Sequence, residues 1–190
     1  MSQSAEDAYL TGQLLIAMPQ MMDPRFTRTV IYICAHNENG AMGLVINRLV
    51  GAITFPDLLE QLGVARGNAS DEIKVHFGGP VESARGFVLH SGEYIQDSSL
   101  KVDDSVALTA TIDILQDMAN GSGPRRSLLA LGYAGWGLGQ LDGEIQANGW
   151  LHATADEDLI FDSSLDDKWE RAIAKLGIDI SMLSGDAGHA

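Results

Sequence analysis

The residue type best able to do chemistry in this chain is its single cysteine, Cys34, which stands two positions from His36 and two from Tyr32. A thiol beside an imidazole becomes a nucleophile when its pKa is lowered. On one face of a strand, residues two apart are separated by roughly 6 to 7 Å, so direct pairing of Cys34 with His36 needs favourable rotamers. The simpler reading of a lone cysteine in an apolar strand is inert packing. Cys34 stands as a candidate reactive thiol against that background.

A second candidate is the run Gly132-Tyr-Ala-Gly-Trp-Gly-Leu-Gly-Gln140, which leaves an apolar strand and leads into a helix. That is the context of an anion-cradling turn, but the spacing is not G-x-G-x-x-G, and the simpler role of these glycines is a sharp turn beside Tyr133 and Trp136. In the helix that follows, Gln140, Glu144 and Asn148 recur every four residues and line one polar face, either solvated or facing a ligand. His36, His76, His90, His152 and His189 show no ligand spacing, and the acidic groups Asp103-Asp104, Asp156-Glu157-Asp158 and Asp166-Asp167 fall where they cap helices or face water. No metal and no cofactor are expected. The chain lacks a P-loop, an H-E-x-x-H, a G-x-S-x-G and an EF-hand loop.

The elements that position these residues alternate between β and α patterns. Gln13 to Met18 reads as a strand stopped by Pro19. Thr29 to Ala35 and Met42 to Asn47 are rich in β-branched residues and flank Asn39-Gly40, a favoured two-residue hairpin turn. Counting outward from that turn pairs His36 with Gly43 and Cys34 with Val45. Tyr32, Cys34, His36, Val45 and Asn47 then share a mixed face, while Ile31, Ile33, Ala35, Leu44 and Ile46 form the face expected to pack the core. A short helix over Phe55 to Leu62 is capped by Thr54 and stopped by Gly63. Strand patterns follow at Ile73 to Phe77, Gly86 to His90, Ser105 to Ala110, Ser127 to Tyr133 and Trp150 to Ala153. An amphipathic helix over Thr111 to Asn120 presents Ile112, Leu115 and Ala119, and residues 156–162 form a turn or short helix. A last helix spans 165–176, with Ser164 and Asp167 as a capping box and Gly177 as its stop.

Composition bounds what such a domain does. With 190 residues, 45% apolar and 20% charged, the chain is expected to fold around one core over residues 10–180, with loose tails at 1–9 and 184–190. Asp and Glu number 26 against 12 Lys and Arg, a net charge of -14 that repels phosphate backbones and disfavours direct nucleic-acid binding. No disulfide can form within a chain that has one cysteine, no apolar run approaches the roughly 20 residues that span a bilayer, and Met1 to Tyr9 lack a signal-peptide pattern. A cytoplasmic location without membrane contact is expected.

Five motifs in order resemble the bacterial AlgH-like family: Gly12-Gln-Leu-Leu-Ile-Ala-Met-Pro19, Gly40-Ala-Met-Gly-Leu-Val-Ile-Asn47, Gly78-Gly-Pro-Val81, Phe87-Val-Leu-His90, and Gly132 to Leu141 with Trp150. Asp142 stands where that family more often has Glu, and Leu138 where a proline or small residue is frequent. The resemblance implies an α+β fold with a bent, mixed, largely antiparallel sheet tending to a pseudo-barrel, flanked by about four helices. It also implies the label transcriptional regulator, by association with control of exopolysaccharide production, and brings no enzymatic activity.

Taken together, these features point to a non-enzymatic regulatory or interaction protein acting through a protein partner. The alternative is a small-molecule-binding or enzymatic domain. Its pocket would form where Asn47, Gly78, Gly79, Trp136 and Gln140 converge, because polar or Gly-rich segments follow strands at those places.

Overall fold

A computed structural model describes residues 9–67, 73–162 and 164–178. His189 and the tail from Ser184 lie outside the described residues, as does all of the other tail except Tyr9. The described chain runs β1 (Gln13–Ala17), β2 (Val30–Asn37), β3 (Gly40–Val45), α1 (Phe55–Gln61), β4 (Val75–Phe77), β5 (Val81–Ser91), β6 (Leu100–Lys101) and β7 (Val106–Thr109). It continues as α2 (Ile112–Ala119), β8 (Ser127–Trp136), α3 (Gln140–Gln146), β9 (Trp150–Thr154), α4 (Glu157–Phe161), a 3-10 turn (Leu165–Asp167) and α5 (Lys168–Ala174).

The strands form one curled sheet in the order β6-β7-β5-β8-β3-β2-β1-β9, with β4 also pairing with β8. Every pairing is antiparallel except β4 with β8. This is the α+β, half-barrel fold that the resemblance implied.

Period-two alternation sends side chains to both faces, and both faces are covered. Inside the curl, Leu14, Ile16, Tyr32, Cys34, Leu44, Ile46, Leu89 and Leu128 pack with Trp169, Ala172 and Ile173 of α5. Outside, at one end, Val88 and Leu129 meet Phe55, Leu58 and Leu59 of α1 and Ile114, Leu115 and Met118 of α2. At the other end, Leu15, Ile31, Ile33, Val45 and Trp136 meet Leu141 of α3. The expected stripe of α2 is thus rotated: Ile114 and Met118 are buried and Ile112 is 48% exposed.

The hairpin register differs from expectation. Asn37 pairs with Gly40, so Glu38-Asn39 form the turn, and the register shifts again between Ile33 and Ala35. Gly40 follows the turn at φ +141, where a Cβ would overlap the Trp136 carbonyl oxygen. The close approach of β8 therefore claims the glycine, and the local Asn-Gly preference yields. Tyr32 now faces Leu44, so the two faces are composed differently from expectation: Tyr32 and Cys34 share the largest core cluster with Leu44 and Ile46, while Val45 packs with Ile31 and Ile33 on the other face.

β8 is longer than its apolar run. It passes through Gly132 at φ +76, where it exchanges β4 for β3 as neighbour on one side, and turns only after Trp136. A Cβ on Gly132 would overlap the Gly79 carbonyl oxygen, and one on Gly79 would overlap the Tyr133 backbone. These glycines let residues 78–81 cross over β8, so the expected turn beginning at Gly132 is a bend inside a strand. The last helix also begins late, because Ser164 makes no cap bond and residues 165–167 adopt 3-10 geometry.

Candidate functional site

Beyond Gly137, α3 returns along the sheet end and carries Glu144 between two tryptophans. Glu144 Oε1 accepts from Trp136 Nε1 at 3.1 Å and from Trp150 Nε1 at 2.9 Å, and Oε2 accepts from Gln140 Nε2 at 3.0 Å. Gln140 Oε1 in turn accepts the Gly137 N–H at 3.0 Å, which closes the turn into α3. The carboxylate thus has donors on both oxygens, and the two indoles, whose rings meet edge to face at 6.2 Å, are locked by it.

The opposite wall is the β1–β2 loop. Arg48 donates to the carbonyl oxygens of Pro24, Arg25 and Thr27 at 3.0, 2.6 and 2.6 Å, gathering three loop carbonyls on one guanidinium. Asp23 accepts from the Arg25 side chain at 2.7 and 3.1 Å, and that ion pair holds the Asp23 carboxyl below its ordinary range. Phe26 stands edge-on to Trp150 at 5.8 Å. Between the walls lies a cleft of about 480 Å³, with Met21, Phe26, Pro80, Trp136, Ala147 and Trp150 among its lining and Gln140, Glu144, Asp23 and Arg25 as its polar groups. Its size and its few fixed polar groups are those of a recognition site.

A second, shallower groove of about 610 Å³ shares Val81, Gly135 and Trp136 with the first and extends past Met42, Phe87 and Tyr133 to the hairpin turn. The first cleft lies on the α3 side of the sheet and the second on the side of Tyr133 and Phe87, so they adjoin at the end of β8.

Of the residues expected to converge, Trp136 and Gln140 line the cleft, and Gly78-Gly79 lead directly into Pro80 and Val81 of its wall. Asn47 lies elsewhere. Its Oδ1 accepts the Val30 N–H at 2.9 Å and its Nδ2 donates to the Arg28 carbonyl at 3.0 Å, tying the exit of β3 to the start of β2. Glu144 was visible in the sequence through its spacing from Gln140, and Trp150 as a motif residue. Asp23, Arg25 and Phe26 gave no signal, because only the fold brings their loop to α3.

Other reactive groups are held in place by the fold. Cys34 is 1% exposed, and burial pushes its thiol up to about 12. His36 Nδ1 accepts the Leu10 N–H at 2.9 Å, so the ring proton sits on Nε2, 3.3 Å from Asp142 of α3. Both nitrogens are engaged, and the ring joins the start of the described chain, the hairpin and α3. His76 lies against the Leu129 carbonyl, and burial pulls it down to about 4. His90 bridges Ser91 and Thr109, and burial lowers its pKa as well. Among the described residues no group of three or more His, Cys, Asp or Glu could hold a metal ion, and no helix is long and apolar enough to cross a membrane.

The molecule is similar over nearly its whole length to proteins of known sequence and structure. A UPF0301 protein from Bradyrhizobium diazoefficiens is 57% identical over 96% of this chain and 89% of its own. One from Rhodospirillum rubrum is 55% identical over 97% and 96%. The solution structure of the AlgH protein from Pseudomonas aeruginosa superposes with a TM-score of 0.79 at 44% identity, covering 96% of this chain and 97% of that one. A crystal structure of a Corynebacterium diphtheriae protein shares the fold, with a TM-score of 0.74 at 18% identity over 92% and 91%. The AlgH-like family model matches residues 14–181, and the chain belongs to that family.

Proposed function

We propose that this protein is a non-enzymatic regulatory protein of the cytoplasm that works by holding a protein partner in the cleft between the β1–β2 loop and α3. The observation that carries the reading is Glu144, whose oxygens accept from two indoles and a glutamine amide. With its oxygens already engaged by three donors, this carboxylate is a fixed recognition group set among apolar walls. The thiol and the buried imidazoles described above are likewise committed to structure. Regulation of transcription would then pass through the partner, since a net charge of -14 opposes direct contact with DNA.

The test fills the cleft. Ala147, exposed at the C-cap of α3, lines it without touching the bonds of Glu144, so Ala147→Trp occludes the site and leaves its framework intact. Capture from an extract of the source bacterium with wild type and Ala147→Trp side by side should enrich one protein on the wild type alone, and the purified pair should re-form the complex. Reproducible turnover of a small molecule by the purified protein, abolished by the same substitution, would overturn the reading in favour of an enzyme.

A further inference from the structure

Among the described residues, the end of β8 is an unfilled place in the sheet. From Ser127 to Leu131 the strand has a neighbour on each side, β5 on one and β4 on the other over part of that length. Past Gly132 the second side passes to β3, which pairs Ala41, Met42 and Gly43 with Trp136, Gly135 and Ala134. On the first side, β5 pairs Gly86 with Leu131 and then reaches Tyr133 only through Val81. The intervening residues 82–85 break the register, are exposed, and include Glu82 at φ +48. Among the described residues no strand pairs with Ala134, Gly135 or Trp136 on that side, and Gly135 is exposed.

The two grooves meet at this gap, one on each face of β8. Alternation puts Trp136 on the α3 face and Tyr133 on the inner face, and both grooves include Val81 and Gly135 at the edge between them. An edge strand with a pocket on either face matches an added β-strand, whose main chain bonds the edge while its side chains point alternately to the two faces. A helix or a compact small molecule would fill one groove and leave the edge and the other groove empty.

We propose that the partner is recognised by strand addition: an extended segment of a basic protein, apolar at alternate positions, pairs with β8 at residues 134–136. One set of its side chains enters the cleft beside Trp136 and Glu144, and the other set enters the groove of Met42, Phe87 and Tyr133. The net charge of -14 favours a basic flank on this segment. The inference rests on the partner-binding reading above and specifies its geometry.

Selection of a displayed library of random linear peptides on the full chain tests it, with each enriched peptide then synthesised with single N-methyl groups along its backbone. Strand addition predicts apolar residues at every second position and binding that weakens about tenfold at every second N-methylated amide. Ala147→Trp should weaken all of these peptides. Enriched peptides with helical spacing, or with uniform tolerance of N-methylation, would overturn strand addition while leaving partner binding standing if they still depend on Ala147. Should no peptide be enriched while the extract yields a cleft-dependent partner, the strand mode alone falls. Failure of both experiments removes both readings.

Discussion

Replacing Lys168 by Met is expected to change stability by an amount that varies with pH in one window. The side chain is 0% exposed at the start of α5, and its Nζ donates to the carbonyl oxygens of Ile46 at 3.1 Å and Ile160 at 2.7 Å. Burial is the main influence on the ammonium, partly offset by the Asp162 carboxylate and reinforced by Arg171, and it brings the pKa from 10.5 down to about 8. At about 1.4 kcal/mol per pH unit, that difference corresponds to about 3 kcal/mol. Between the two values the unfolded chain still holds a proton that the folded chain has released. The wild type therefore gains stability as pH rises through this window, and the burden of the buried charge is fully present below it.

Met replaces the apolar stem without the charge, but it leaves the Ile46 and Ile160 carbonyls unpaired at about 1 to 3 kcal/mol each. Near neutral pH the two effects are of similar size and the net change is small. Above the window the relief is gone and the full loss remains. Urea unfolding of both proteins, followed by tryptophan fluorescence at a series of pH values, should show the wild-type advantage widening by about 3 kcal/mol across the window. An advantage that stays constant from neutral pH to the alkaline end would refute the argument that Lys168 is buried as a cation.

Acid should act through His76 in the same sense. Its pKa falls from 6.5 to about 4 in the fold, so stability is lost as pH drops through that interval, and His76→Gln should flatten the loss in acid unfolding curves. Gly132→Ala is expected to lower stability by about 3 kcal/mol or more in denaturant titration, because a left-handed backbone meets a Cβ with no room beside Gly79. Glu144→Ala strands two indole N–H groups and should shift both indole NMR resonances and lower stability by about 1 to 3 kcal/mol, whereas Glu144→Gln, which keeps an acceptor for them, should recover most of the loss. Cys34 should resist a thiol reagent in the native state and react at once in denaturant.

Much of the fold was legible because it depends on neighbours in sequence. Thr54 caps α1 as expected, and Gly177 sits in the left-handed region at φ +70 after α5. The strand runs around Tyr32, Val45, Leu89 and Leu129 appear where β-branched and apolar residues cluster. Burial of Lys168 was not legible, because a lysine on the first turn of a helix normally extends into water, and only the packing of α4 and of the residue that follows β3 around it supplies carbonyl partners in place of solvent.

The candidate site divides in the same way. The i, i+4 relation of Gln140 and Glu144 and the prominence of Trp136 and Trp150 were properties of the sequence, since helical spacing alone puts the first two on one face. That Glu144 binds both indoles, that Arg48 presents the loop of Phe26 to them, and that Asn47 stays out of the cleft were decided by tertiary structure. So was the hairpin register, in which Gly40 leaves the turn to admit the Trp136 carbonyl. The physical reason is common to all of these. Propensity, capping and alternation are set within a few residues of chain, whereas register, burial of charge and the meeting of loops depend on which distant backbone passes close by, and that approach overrides the local preference wherever a Cβ or an unpaired polar group would otherwise be trapped.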